Sequence, residues 1–90
     1  MTKYFITDNE MKVLIFLFKM NKPVYLGQTK RAINAEYTSI SAVLKKFKES
    51  GWIRFYKTPN DKLRVYFELT QKGDDVARLL VELKKVMGEK

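Results

Sequence analysis

Apolar residues fill most of residues 11–20: Met11, Val13, Leu14, Ile15, Phe16, Leu17, Phe18 and Met20. On a helix they point in almost every direction around the axis, so that helix must be covered on all sides. Thr7 and Glu10 have the spacing of a capping box, which starts this first helix at 7 and carries it to 20. Two arrangements satisfy it: the central helix of one core, or a helix that shares a face with a second subunit. Asn21, Lys22 and Pro23 end it. Val24-Tyr25-Leu26 then forms a short extended segment suited to pairing with a later hairpin, and a second helix spans 27–34.

After a turn at Asn34–Tyr37 the period changes. Ile40, Val43, Leu44 and Phe47 recur at i, i+3, i+4 and i+7, one face of a third helix over 38–50. Thr38 or Ser39 is expected to cap it, and Gly51 to close it in the left-handed conformation. From residue 53 the period is two. Ile53 and Phe55 alternate with Arg54 and Tyr56, and Leu63, Val65, Phe67 and Leu69 alternate with Arg64, Tyr66 and Glu68. Pro59-Asn60-Asp61 supplies the turn of this hairpin over 53–69. Trp52 is expected to seal the core between third helix and hairpin. Thr70 starts a last helix, residues 70–87, in which Val76, Leu80, Leu83 and Met87 form a heptad-like seam widened by Leu79, Val81 and Val86. That seam covers either the domain's own core or a second copy; its width favours a dimer.

The charge is uneven. Of a net charge of +8, residues 22–64 carry +7, from ten basic and three acidic side chains. The excess lies on the segment that reads as two helices and a hairpin, and it points to a polyanionic partner, nucleic acid before membrane. With 90 residues, 46% of them hydrophobic and 13% aromatic, the chain makes one domain, 1–90, with material for a core.

Cysteine and histidine are both absent, so disulfides, thiolate metal sites, zinc fingers and most catalytic metal sites are excluded. Nor is there a phosphate-cradling glycine loop or an obvious carboxylate pair. Asp74-Asp75 suits a helix dipole, and an enzyme is not expected. No cofactor is expected either. The longest apolar run, Val13–Phe18, is six residues, against the roughly 20 that span a bilayer. The expectation is a soluble, cytoplasmic protein.

If Ile40, Val43, Leu44 and Phe47 face the core, then Thr38, Ser39, Ser41, Ala42, Lys45 and Lys46 face outward. Small hydroxyl side chains let a helix backbone approach base edges in a major groove, and the Ala42 methyl matches a thymine methyl. Lysines one and two turns on suit phosphates or a guanine edge. On the hairpin, Arg54, Lys57, Asn60, Lys62 and Arg64 suit backbone or minor-groove contact, with Lys62 near the tip. Lys30 and Arg31 on the second helix add phosphate contacts. Each group has a plainer explanation: capping for the hydroxyls, edge protection for the hairpin cations. Tyr25, Tyr37, Trp52, Phe55, Tyr56, Tyr66 and Phe67 also suit base stacking on single strands, but most of them fall where packing explains them.

Helix, turn, groove-fitting helix, cationic hairpin and final helix, in that order, make a winged helix-turn-helix of the α+β class. The segments Ser41–Arg54, Arg64-Val65-Tyr66-Phe67-Glu68 and Leu69-Thr70-Gln71-Lys72-Gly73 resemble the recognition helix, second wing strand and final-helix opening of MarR- and PadR-like regulators, including small archaeal or viral types. The aspartate-x-arginine of the MarR wing would place arginine at 63; this chain has Leu63, then Arg64. The resemblance implies a regulator of transcription that binds duplex DNA; the seam Val76, Leu80, Leu83 and Met87 adds the expectation of a homodimer interface, and the lack of a separate activating surface that of a repressor by occlusion. The rival functions are a winged helix used for protein–protein interaction and a replication or plasmid-maintenance factor. Neither an effector nor an operator is legible.

Overall fold

The computed structural model describes residues 6–58 and 61–88, with the side chains of 58 and 61–63 outside it. Among them the order is α1 (Asp8–Met20), β1 (Val24–Tyr25), α2 (Leu26–Ile33), α3 (Tyr37–Glu49), β2 (Ile53–Thr58), β3 (Asp61–Leu69) and α4 (Gln71–Val86). The strands form one antiparallel sheet in the order β1-β3-β2. The short segment before α2 thus pairs with the hairpin, Val24 opposite Phe67 and Tyr25 opposite Tyr66.

The core is made where the apolar period put it. Val13, Leu14 and Leu17 of α1, Val24, then Ile40, Val43, Leu44 and Phe47 of α3 meet Trp52, Ile53, Phe67 and Ala77. Phe47 and Trp52 stack at a tilt with centroids 5.3 Å apart. Trp52 therefore closes the corner between α3 and the sheet. Three more apolar residues of α1, Phe16, Phe18 and Met20, are partly buried against this same core. The all-round apolar helix is largely covered within one chain.

Local chemistry fixes the helix ends. The Thr7 hydroxyl accepts from the Glu10 N–H at 3.2 Å, while Glu10 Oε1 accepts from the Thr7 N–H at 3.0 Å, so the capping box forms. Asn21 and Asn34 end α1 and α2 with φ of 53° and 54°, a conformation that asparagine tolerates better than most residues. The third helix starts one residue earlier than its hydroxyls suggested. Its N-cap is Glu36, with no side-chain cap bond, so neither Thr38 nor Ser39 caps it. The left-handed turn at Asn34 leaves only Ala35 and Glu36 before the chain re-enters a helix at Tyr37. Both hydroxyl residues thus fall inside the first turn. At the other end Gly51 takes φ 80°.

The opening of α4 is a joint with the corner after α3. The Thr70 N–H donates to the Trp52 carbonyl at 2.9 Å. Its hydroxyl donates to the Gly51 carbonyl at 2.6 Å and accepts from the Gly73 N–H at 3.1 Å. A Cβ on Gly73 would collide with the Trp52 carbonyl oxygen, so the close approach of the two segments requires glycine here.

Candidate nucleic-acid interface

Along α3, the inner residues Ile40, Val43, Leu44 and Phe47 are all buried. Thr38, Ser41, Ala42 and Lys45 are all exposed. These four sit at i, i+3, i+4 and i+7 and so form one continuous stripe. The helix is thereby fixed from behind by apolar burial and presents small side chains and one ammonium group in front. Bulk does not keep the backbone away from a surface that approaches it. The first-turn amides, which no side chain caps, also face outward from this end.

Ser39 and Lys46 leave that stripe. Both are half-buried on the flank of α3. The Lys46 ammonium donates to Glu10 Oε2 at 2.9 Å, and the Glu10 side chain is only 8% exposed. The Glu10 carboxylate thus spends one oxygen on the α1 cap and the other on α3. A buried carboxylate without a cation is costly, so this pair is a structural tie between two helices. It joins residues separated by 36 positions, which no sequence periodicity marks.

The cations of α2 and the wing have distinct surroundings. Arg31 is exposed at the end of α2, and Lys30 lies with its ammonium 5.3 Å from the centroid of the Tyr37 ring. On β2, Arg54 donates through Nε and Nη2 to Glu68 Oε2 at 3.0 and 2.9 Å, so its charge is partly met by its cross-strand neighbour. Lys57 is exposed. Arg64 is exposed, with its guanidinium carbon 4.3 Å from the Tyr25 ring centroid. Asn60 and the Lys62 side chain, both expected at the wing tip, lie outside the described residues. Between α3 and the wing runs a cleft of about 460 Å³, floored by Leu26, Leu44, Phe55 and Phe67 and edged by Lys45 and Lys48. The Lys48 ammonium stands 5.4 Å from the Phe55 ring centroid.

The wing reaches past the helices that would cover it. Val65 belongs to the apolar row of β3, yet it is 43% exposed, whereas Phe67 two residues on is 2% exposed. On the opposite sheet face, Tyr25, Tyr66 and Tyr56 form one row across all three strands. The Tyr56 phenol is raised above its ordinary value, first by desolvation and then by the Glu68 carboxylate, with Arg54 opposing. The Tyr56 phenol therefore stays neutral at physiological pH.

The last helix divides into two parts. Val76 and Leu80 pack against the core. Leu79, Leu83, Val86 and Met87 are 64%, 50%, 84% and 62% exposed, an apolar strip toward its C-terminal end. The four seam residues read from the sequence thus separate into two that face inward and two that face solvent. Arg78 is held on this helix by Asp74 at 3.2 Å and Asp75 at 2.8 Å. Among the described residues no group of acidic side chains is placed to hold a metal ion, and no helix is long and apolar enough to cross a membrane.

Comparison with known families gives one match, to the winged helix DNA-binding domain, over residues 6–73. No curated protein matches the chain. Among solved structures, a mutant of ZitR from Lactococcus lactis superposes with a TM-score of 0.79 at 20% identity, covering 92% of this chain and 62% of that one. The adhesin competence repressor AdcR from Streptococcus pyogenes gives 0.80 at 17% identity, covering 91% and 60%. A mutant of MarR from E. coli, solved in complex with operator DNA, gives 0.76 at 23% identity, covering 88% and 56%. The chain spans about six-tenths of each of these structures, and at these identities the likeness is one of fold.

Proposed function

Because the chain belongs to the winged helix DNA-binding domain family and folds like MarR, we propose that it is a sequence-specific regulator of transcription acting on double-stranded DNA. In this reading α3 enters the major groove, and the hairpin β2–β3 lies on the flanking backbone or minor groove. The observation that carries it is the stripe Thr38, Ser41, Ala42 and Lys45, exposed on a helix whose other side is locked into the core. Hydroxyl groups and a methyl at the tip suit base edges, and Lys45 suits a phosphate or a guanine. Lys30, Arg31, Lys57 and Arg64 supply backbone contacts around it. Lys46 and Ser39 contribute from the flank, Lys46 chiefly by fixing the angle of α3 through Glu10.

The protein acts as a homodimer and represses by occlusion. The exposed strip Leu79, Leu83, Val86 and Met87 supports the dimer, since a second copy would cover it. Two half-sites one helical turn apart would then be read together. Repression is favoured over activation because no separate activating surface stands out among the described residues.

Titration of a duplex at increasing salt tests the proposal. Two subunits meeting about 6–10 phosphates should lose about 10³–10⁵-fold in affinity between roughly 50 and 200 mM salt. A binding constant that does not change with salt, or the absence of binding to any duplex, rejects it.

A further inference from the structure

Tyr25 occupies an unusual place. It is the last residue of β1 and stands directly before α2. Its N–H donates to Gln28 Oε1 at 3.0 Å, and its carbonyl accepts from the Thr29 hydroxyl at 3.3 Å, so its backbone is tied to the first turn of α2. Its ring is bounded on three sides. The Tyr66 ring meets it edge to face at 5.7 Å and 77°. A Cβ on Gly27 would come within 3.1 Å of it, so the glycine lets the ring lie against the helix start. Above it stands the Arg64 guanidinium, 4.3 Å from the centroid.

Arg64 itself lies on the tip side of the rung between Tyr56 and Tyr66. Beyond that rung the pairing of β2 with β3 shifts register before Thr58 meets Asp61. The regular ladder ends just before this arginine. The ring of Tyr25 offers it a fixed point that belongs to the helix-turn-helix rather than to the hairpin.

We infer that Tyr25 is a positioning residue for the wing arginine. It holds Arg64 in a set relation to α2 and α3, so that wing and recognition helix meet one duplex in register. The chemistry suits arginine and not lysine. A guanidinium that stacks through its flat face keeps its N–H donors in the ring-parallel plane, directed at a phosphate or groove edge. The inference rests on the DNA-binding reading above.

The test uses one fixed duplex, selected from a random-sequence pool by the wild-type chain, with affinity read by fluorescence anisotropy across a salt series. The chains are the wild type, Tyr25→Phe, Tyr25→Leu, Arg64→Gln and the Tyr25→Leu/Arg64→Gln double variant, each with a thermal melt. Loss of the π face in Tyr25→Leu should weaken binding about two- to fivefold and flatten the salt slope by about one counterion. Tyr25→Phe should bind as the wild type does. On the Arg64→Gln background, Tyr25→Leu should add nothing. If leucine and phenylalanine behave alike, or if the leucine loss persists undiminished without Arg64, Tyr25 is only a packing residue and the inference is overturned. A wild-type chain that binds no duplex overturns instead the DNA-binding reading, and this inference with it.

Discussion

The recognition helix and the wing are held by different physics. Behind α3 stand Ile40, Val43, Leu44 and Phe47, all buried. Along the exposed sides of the wing stand surface contacts: Arg54 with Glu68, Lys48 beside Phe55, Arg64 over Tyr25. Full burial of one large apolar side chain contributes about 1.5–3 kcal/mol, whereas an exposed ion pair or cation–π contact contributes about 0.2–1. The helix that would read bases is therefore set by the same contacts that fold the domain. The ribbon that would meet the backbone is adjusted by contacts that can be exchanged one at a time without unfolding anything. In the proposed reading, specificity and affinity would thus sit on parts of the molecule with separate tolerances to change.

The strongest way to break this contrast is to empty the space behind α3. Phe47 is fully buried, and Phe47→Ala should cost about 3–5 kcal/mol in chemical denaturation, with DNA binding lost alongside the fold. A smaller effect separates two adjacent lysines. Lys46→Ala leaves the Glu10 carboxylate, 8% exposed, without its cation; it should lower the unfolding free energy by about 1–3 kcal/mol. Lys45→Ala, on an exposed residue, should leave stability within about 0.5 kcal/mol. It should instead weaken duplex binding by about 1–3 kcal/mol for a base contact, and by less for a phosphate contact. If both lysines moved only stability, or both only binding, the division drawn along α3 would be wrong. The smallest change belongs to the wing: Arg54→Ala removes an exposed pair with Glu68 and should shift stability by only about 0.2–1 kcal/mol in the same denaturation experiment.

Much of the fold was legible because the information is local. The i, i+3, i+4, i+7 face of residues 40–47 specifies which side of α3 is buried, and Gly51 marks its end through a positive φ that other residues resist. The winged-helix class and the MarR-like resemblance, read from the order of the parts, are matched by the family and the solved structures. The start of α3 is less legible: serine and threonine cap helices only where the chain enters the helix beside them, and here the Asn34 turn moves that entry to Glu36. Less legible were the polar ties. Glu10 with Lys46 depends on how α1 crosses α3, and Arg54 with Glu68 on strand register. Neither crossing angle nor register is written in the spacing of apolar residues. The same holds for Tyr25 and Arg64, which a sequence presents only as one aromatic residue and one cation far apart. Residues 76 and 80 were separable from 83 and 87 only once the length of α4 beyond the core was known.

Gly73 has a mechanical consequence. With its α-carbon pressed on the Trp52 carbonyl, and Thr70 bonded to both Gly51 and Trp52, the exit of α3 and the entrance of α4 form a welded corner with no slack. A side chain at position 73 would lever the two segments apart at this joint and so change the angle at which α4 leaves the body of the domain.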